Sequence, residues 1–220
     1  MTPSPQGVLF DWDHTAYNQE QTTRTWIEVF VREHLPAPNF EEAIATLISL
    51  DQKGGCPRKE FFAKVVEMYS LLDDVDALEE RFHQEIIGHM DVSEMKAISS
   101  LLNKKGIPFG FVTNGSRRQK VKIQALGLTP LCVTTAGEVG IKKPDPAIFL
   151  MAADCLGVPP ENILFVGDHP EQDVLGAIKV GMMAAWVSYG QAWPANLSFA
   201  PDLTLLSVGD LLAVLDGLQS

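Results

Sequence analysis

Five short apolar runs, each giving way to polar residues, constrain this chain more than any other feature of it. They are residues 8–10, 109–112, 131–133, 163–166 and 183–187. Runs this short suit strands buried on both faces. Helix-length stretches separate the later runs. Residues 92–104 carry Met95, Ile98, Leu101 and Leu102 at helical spacing, and Gly106 follows as a stop. Residues 120–126, 146–156 and 174–180 read as helices closed by Gly127, Gly157 and Gly181. Strand and helix in alternation predict parallel strands joined by right-handed crossovers, a doubly wound α/β sheet.

Residues 18–89 break the alternation. Helical stretches fill them at 22–34, 40–50, 58–71 and 76–87, punctuated by Pro36, Pro38, Gly54-Gly55, Pro57 and Asp73-Asp74. A structureless loop of that length is implausible. The expected organisation is a core of residues 1–17 and 90–220, with an α-helical domain of residues 18–89 inserted after the first strand. Trp26, Phe30, Phe61, Phe62 and Phe82 sit at helical spacing and are expected to form the insert's own core.

Composition disfavours several classes of function. The 220 residues carry a formal charge of −11 and no basic run. Nucleic acids and anionic membranes are both held mainly by Lys and Arg, so neither is an expected partner. No segment approaches the ~20 consecutive apolar residues that span a bilayer. Residues 1–6 lack the basic start and apolar stretch of a signal peptide. Cys56, Cys132 and Cys155 are odd in number and widely spaced. That argues against a disulfide framework or a zinc site, and for small buried or half-buried thiols. The expected setting is a reducing cytoplasm. A small anionic substrate stays open, because one metal ion and one lysine reverse the local potential whatever the net charge.

The polar residues just past each apolar run carry the chemistry. In an open parallel sheet, ligands bind beyond the carboxyl ends of the strands. There the sequence puts Asp11-Trp12-Asp13-His14-Thr15, then Thr113-Asn114-Gly115, then Lys142-Lys143-Pro144-Asp145-Pro146, then Gly167-Asp168 with Asp173 five residues on. This inventory suits phosphate esters. An anionic ester and a carboxylate nucleophile repel each other unless a cation neutralises both. Asp11 and Asp168 are candidate ligands for Mg²⁺, which takes oxygen donors and keeps part of its water shell. Asp11 is the candidate nucleophile. Asp13 is the candidate acid and base, protonating the leaving oxygen and then activating water. Trp12, Thr113, the backbone N–H of Asn114 and Lys143 are assigned to the phosphoryl oxygens, with Lys143 adding positive charge where negative charge builds. Asp173, in the first turn of a helix starting at Pro170, would orient the metal's water shell or Lys143. His14, Tyr17 and Arg58 are candidate substrate contacts. Neither His14 nor His169 is expected to bind the metal, since the carboxylates call for a hard ion. Lys142 reads as a surface charge, and Trp193 as a packing residue.

These motifs resemble those of the haloacid dehalogenase superfamily. DWDHT resembles its DxDGT, VTN its apolar run plus threonine, KKPDPAIF its lysine motif and VGDHPEQD its last acidic motif. The match covers residues 7–17 and about residue 92 onward. The resemblance implies a Rossmann-like core with the helical insert as a cap over the active site. It also implies Mg²⁺ held by Asp11, the Asp13 carbonyl and Asp168. His14 stands where that family usually has Gly, and Ala16 where Leu is common. The leading expectation is a Mg²⁺-dependent phosphatase of a small phosphorylated metabolite. A haloacid dehalogenase or a sugar phosphomutase would use the same scaffold. A receiver-like phospho-Asp signalling domain would share the Asp, Thr, Lys and Mg²⁺. Asp13 speaks against the dehalogenase, whose chemistry needs no leaving oxygen protonated. The insert and the place of Asp11 after the first strand speak against the receiver.

Overall fold

The computed structural model describes residues 4–36 and 38–217. Packing divides it into two compact units, Met1–Tyr17 with Val92–Ser220, and Asn18–Asp91. The first unit is built on six strands: β1 (Gly7–Phe10), β2 (Phe109–Thr113), β3 (Cys132–Thr135), β4 (Ile163–Gly167), β5 (Met183–Val187) and β6 (Leu203–Leu205). They form one sheet in the order β3-β2-β1-β4-β5-β6, and every pairing is parallel. The α/β class with a helical insert is therefore the fold that the alternation predicts. β6 goes beyond it. Its three residues, Leu203-Thr204-Leu205, are too few to register as an apolar run.

The sheet order positions the site. From β1 the chain steps outward to β2 and β3, then crosses back to place β4 on the other side of β1. At that reversal the connections diverge and leave a crevice beyond the carboxyl ends of β1 and β4.

The second unit holds α1 (Gln19–His34), α2 (Phe40–Asp51), α3 (Arg58–Tyr69) and α4 (Val75–Glu85). Its core is aromatic. Trp26 stacks on Phe30 with ring centroids 4.7 Å apart and meets Phe82 edge-on at 4.9 Å. Phe61 and Phe62 are fully buried in the same cluster. Asp51 closes the turn Gln52–Gly54 by accepting from the Gly54 N–H at 2.7 Å. Arg58 opens α3, and Asp51 lies 2.5 Å from it in a charge contact that falls short of an aligned hydrogen bond. The guanidinium also sits 4.7 Å from the Phe82 ring centroid, a favourable cation–π geometry. Only 14% of the Arg58 side chain is exposed. Arg58 is thus a half-buried cation whose charge is met inside the insert.

The helices of the first unit are α5 (Ser93–Lys105), α6 (Arg118–Ala125), the short α7 (Ala136–Val139), α8 (Pro146–Leu156), α9 (Gly176–Lys179) and α10 (Leu211–Gly217). Successive strand residues point to opposite faces. Leu9, Val112, Phe165, Ala184 and Trp186 share a core with Ile148 and Phe149 of α8 and Ala177 of α9. Phe10, Phe109 and Phe111 form an aromatic cluster with centroids 5.9 to 6.4 Å apart. Each such side chain contributes roughly 1.5–3 kcal/mol on burial, which is why the strands are apolar on both faces. α8 shows how the sequence sets an element's limits. The Asp145 carboxylate caps it by accepting from Ala147, Pro146 fills its first position, and Gly157 ends it at a φ of 67°.

Trp193 packs on Trp186 and donates its indole N–H to the Phe199 carbonyl. Cys56 and Cys132 are buried, but Cys155 is exposed, which corrects the expectation that all three thiols are covered. Among the described residues, no helix is long and apolar enough to cross a membrane.

Candidate active site

β1 and β4 pair with Phe10 opposite Val166, so the residues just past each strand emerge side by side. The Asp11 N–H donates to the Val166 carbonyl at 2.8 Å, extending the ladder by one step. Asp11 is 6% exposed. The Lys143 Nζ donates to Asp11 Oδ1 at 2.5 Å and to Asp173 Oδ1 at 2.7 Å. The other Asp173 oxygen accepts from the His169 N–H at 2.9 Å. Gly167 makes room for that carboxylate, since a Cβ there would lie 2.5 Å from the Asp173 Cγ. Asp168 accepts from the Thr15 hydroxyl at 3.3 Å, and its backbone carbonyl accepts from the Trp186 indole at 2.7 Å.

One carboxylate oxygen each from Asp11, Asp168 and Asp173 lies within 4.8 Å of the others. Burial raises Asp11 well above the usual carboxylate range, with Asp173 and Asp168 adding and Lys143 opposing. Burial, then Asp173, lifts Asp168 to about 6. Burial would lower Lys143, but the attraction of Asp11 and Asp173 outweighs it and raises that ammonium. Three carboxyl groups share one ammonium here, an excess of acids over cations that the upward shifts of Asp11 and Asp168 reflect. A divalent cation on oxygen ligands balances that excess, so the residues present fit a hard metal ion. Both Asp173 oxygens already accept hydrogen bonds. Asp11 and Asp168 therefore have the more available oxygens.

Other expected site residues are held in detail. Asp13 accepts from the Tyr17 hydroxyl at 2.6 Å and from the Gln119 amide at 2.7 Å. Thr113 ends β2 at 1% exposure, and its Oγ1 accepts from the Gly115 N–H at 3.0 Å. The Asn114 side chain pins the lysine loop. Its Oδ1 accepts from the Lys143 N–H, while its Nδ2 donates to the Lys143 carbonyl and to Gln172 Oε1. That leaves its backbone N–H as the group able to meet a substrate.

Three assignments change. The Trp12 side chain is fully buried, with its ring edge-on to Phe111. Only its backbone remains to serve a phosphate. Tyr17 is 6% exposed and directs its hydroxyl to Asp13, so its polar end is engaged by that carboxylate and not held on an open surface. Arg58 is engaged within the insert, as described above. His14 takes a φ of 65°. That left-handed conformation favours Gly, and His visits it more readily than most residues. The pattern's departure therefore falls where the backbone is least forgiving.

Sequence reasoning gave no role to Gln119, Thr15, Gln172 or Tyr189. Gln119 lies in the first turn of α6 and reaches Asp13 from there, while Thr15 lies inside the first motif itself. Tyr189 follows β5 and donates to the His14 carbonyl at 2.6 Å. Burial, then the nearby Asp168, pushes its phenol up to about 12. The usable signal for Tyr189 was its place just past a strand's carboxyl end.

Comparison with known proteins agrees with this geometry. A family model for haloacid dehalogenase-like hydrolases matches residues 5–181. A phosphoserine phosphatase of Thermus thermophilus is 38% identical over 140 residues, covering 62% of this chain and 55% of that protein. The chain spans about half the length of the first relatives that it matches. A glyceraldehyde 3-phosphate phosphatase of Pyrococcus furiosus is 28% identical over 222 residues, covering 95% of this chain and 92% of that one. The crystal structure of a haloacid dehalogenase-type phosphatase from Thermococcus onnurineus superposes with a TM-score of 0.66 at 26% identity, covering 96% and 98% of the two chains. With its family model spanning the four motifs and the helical insert between them, the chain belongs to the haloacid dehalogenase-like hydrolases.

Proposed function

We propose that the protein is a cytoplasmic, Mg²⁺-dependent phosphatase that hydrolyses a small phosphate monoester through an aspartyl phosphate on Asp11. The observation that carries this reading is the charge imbalance at the β1–β4 crevice, where two buried carboxylates and a half-buried one face one lysine. The phosphatase relatives support the substrate class, and the net charge of −11 supports a small molecule over nucleic acid or membrane.

An Asp11 oxygen attacks phosphorus while the ester P–O bond breaks. Asp13 gives the leaving oxygen its proton. Asp13 then takes a proton from water, which attacks the phosphoryl group and frees Asp11. The Thr113 hydroxyl and the backbone N–H groups of Trp12 and Asn114 hold the phosphoryl oxygens, and Lys143 offsets the charge that builds on them. Asp173 keeps Lys143 oriented. Asp11, the Asp13 carbonyl and Asp168 would hold Mg²⁺, which when bound supplies the positive charge that lets two anions meet. The inserted helices serve as a cap whose closure selects substrate and excludes water.

The test is phosphate release across a panel of sugar phosphates, nucleoside monophosphates, phosphoserine and triose phosphates with Mg²⁺. Asp11→Asn should lose ~10⁴-fold or more while keeping its fold. EDTA should silence the wild type, and Mg²⁺ should restore it. Wild-type rates from Asp11→Asn would remove the nucleophile. An isomeric sugar phosphate in place of free phosphate would make the enzyme a mutase.

A further inference from the structure

A pair of cysteines lies at the other end of the sheet. Cys132 opens β3, and α8 packs on that strand. The Cys132 thiol donates to the Ala152 carbonyl at 3.8 Å, and Ala152 lies one helical turn before Cys155 on α8. Both cysteines line one open groove of 480 Å³, together with Lys120, Leu128 and Leu131. Cys155 is exposed, while Cys132 is only 9% exposed. The pair sits at the amino end of β3, whereas the aspartates gather at the carboxyl ends. It is therefore independent of the proposed chemistry.

We propose that Cys132 and Cys155 form an oxidisable dithiol that peroxides convert to an intramolecular disulfide linking β3 to α8. Their places assign the order of events. Cys155 meets the oxidant first, because it is the accessible sulfur. Cys132 is shielded from the oxidant by burial but lies against α8 one turn from Cys155, so it is the sulfur placed to resolve the product. The Cys155 thiolate attacks one peroxide oxygen, the O–O bond breaks and hydroxide leaves, giving a sulfenic acid. The Cys132 sulfur then attacks the Cys155 sulfur, the S–O bond breaks, and the departing hydroxide takes the Cys132 proton as water. Two thiols and one hydrogen peroxide become one disulfide and two waters, sulfur being oxidised and peroxide oxygen reduced.

The experiment treats the reduced full chain with hydrogen peroxide, blocks remaining thiols under denaturing conditions, and maps them by mass spectrometry. The expected result is a peptide pair joined through Cys132 and Cys155, a whole-chain mass lower by two hydrogens before blocking, Cys56 still blocked as a thiol, and reversal by dithiothreitol. In Cys132→Ser, Cys155 should stop as a sulfenic acid that dimedone traps. The proposal is overturned if Cys155 in the wild type proceeds to sulfinic acid while Cys132 stays a free thiol. It is equally overturned if the only crosslink joins two chains.

Discussion

The core and the helical insert each bury carboxylate against cation, and the two arrangements differ in one respect. In the insert, Asp51 faces Arg58, one charge against one, with aromatic rings completing the contact. At the end of β1, three carboxylates crowd around Lys143. A matched pair can be a purely structural device. An unmatched cluster costs stability, because it must either bury uncompensated charge or hold protons on its carboxylates. The surplus of negative charge, and not burial or pairing as such, separates the site from the scaffold.

The comparison breaks most visibly at Asp13, which sits beside the cluster with both carboxylate oxygens oriented by Tyr17 and Gln119. Asp13→Ala should cost ~10²–10⁴ in kcat on alkyl phosphates, the usual worth of a general acid. The loss should shrink on an aryl phosphate, whose leaving group needs no proton. Equal losses on both would take the acid role from Asp13. On the insert's side, Arg58→Met leaves the Asp51 carboxylate buried without its cation. Unfolding free energy should fall by about 3 kcal/mol, the lower end for breaking a buried pair, given the residual exposure of Arg58. KM should stay at the wild-type value. A raised KM at unchanged stability would instead make Arg58 a substrate contact and erase the contrast between the two clusters.

How legible each region was from sequence follows the same physics. The strands read clearly because burial on both faces leaves uninterrupted apolar runs, as in Val8-Leu9-Phe10 and Ile163 to Val166. β6 stayed hidden because its three residues include an exposed Thr204 and leave no apolar run. Asp11, Lys143, Asp168 and Asp173 stood out because polar residues just past buried strands share one end of a parallel sheet. The partners of those residues did not stand out. Gln119 reaches Asp13, and Tyr189 reaches His14, across long sequence separations. Only the sheet order brings them together, and single side chains such as these carry no periodic signature. The engagement of Arg58 did not stand out because Gly54-Gly55 and Pro57 just before it give no sign of the rings that meet it. The ring cluster that buries it comes from α3 and α4.

The smallest expected effect tests whether the surplus charge belongs to a metal. Burial and Asp173 hold Asp168 at about 6, above its usual 3.8. The folded state therefore binds this proton more tightly than the unfolded state does. The resulting stability is fully present below about pH 4 and is lost as pH rises through about 6, amounting to no more than about 3 kcal/mol. A bound divalent cation reverses the sign, because it stabilises the ionised carboxylate and competes with the proton. The rise in Tm on adding Mg²⁺ to EDTA-treated protein should accordingly be small at pH 5 and grow toward pH 7.5. Asp168→Asn keeps the shape and removes the charge. It should melt higher than wild type in EDTA at pH 7.5 and lose most of the Mg²⁺ response. A Mg²⁺ shift that is the same at both pH values, or that survives in Asp168→Asn, would mean the ion binds elsewhere and the crowded carboxylates serve some other end.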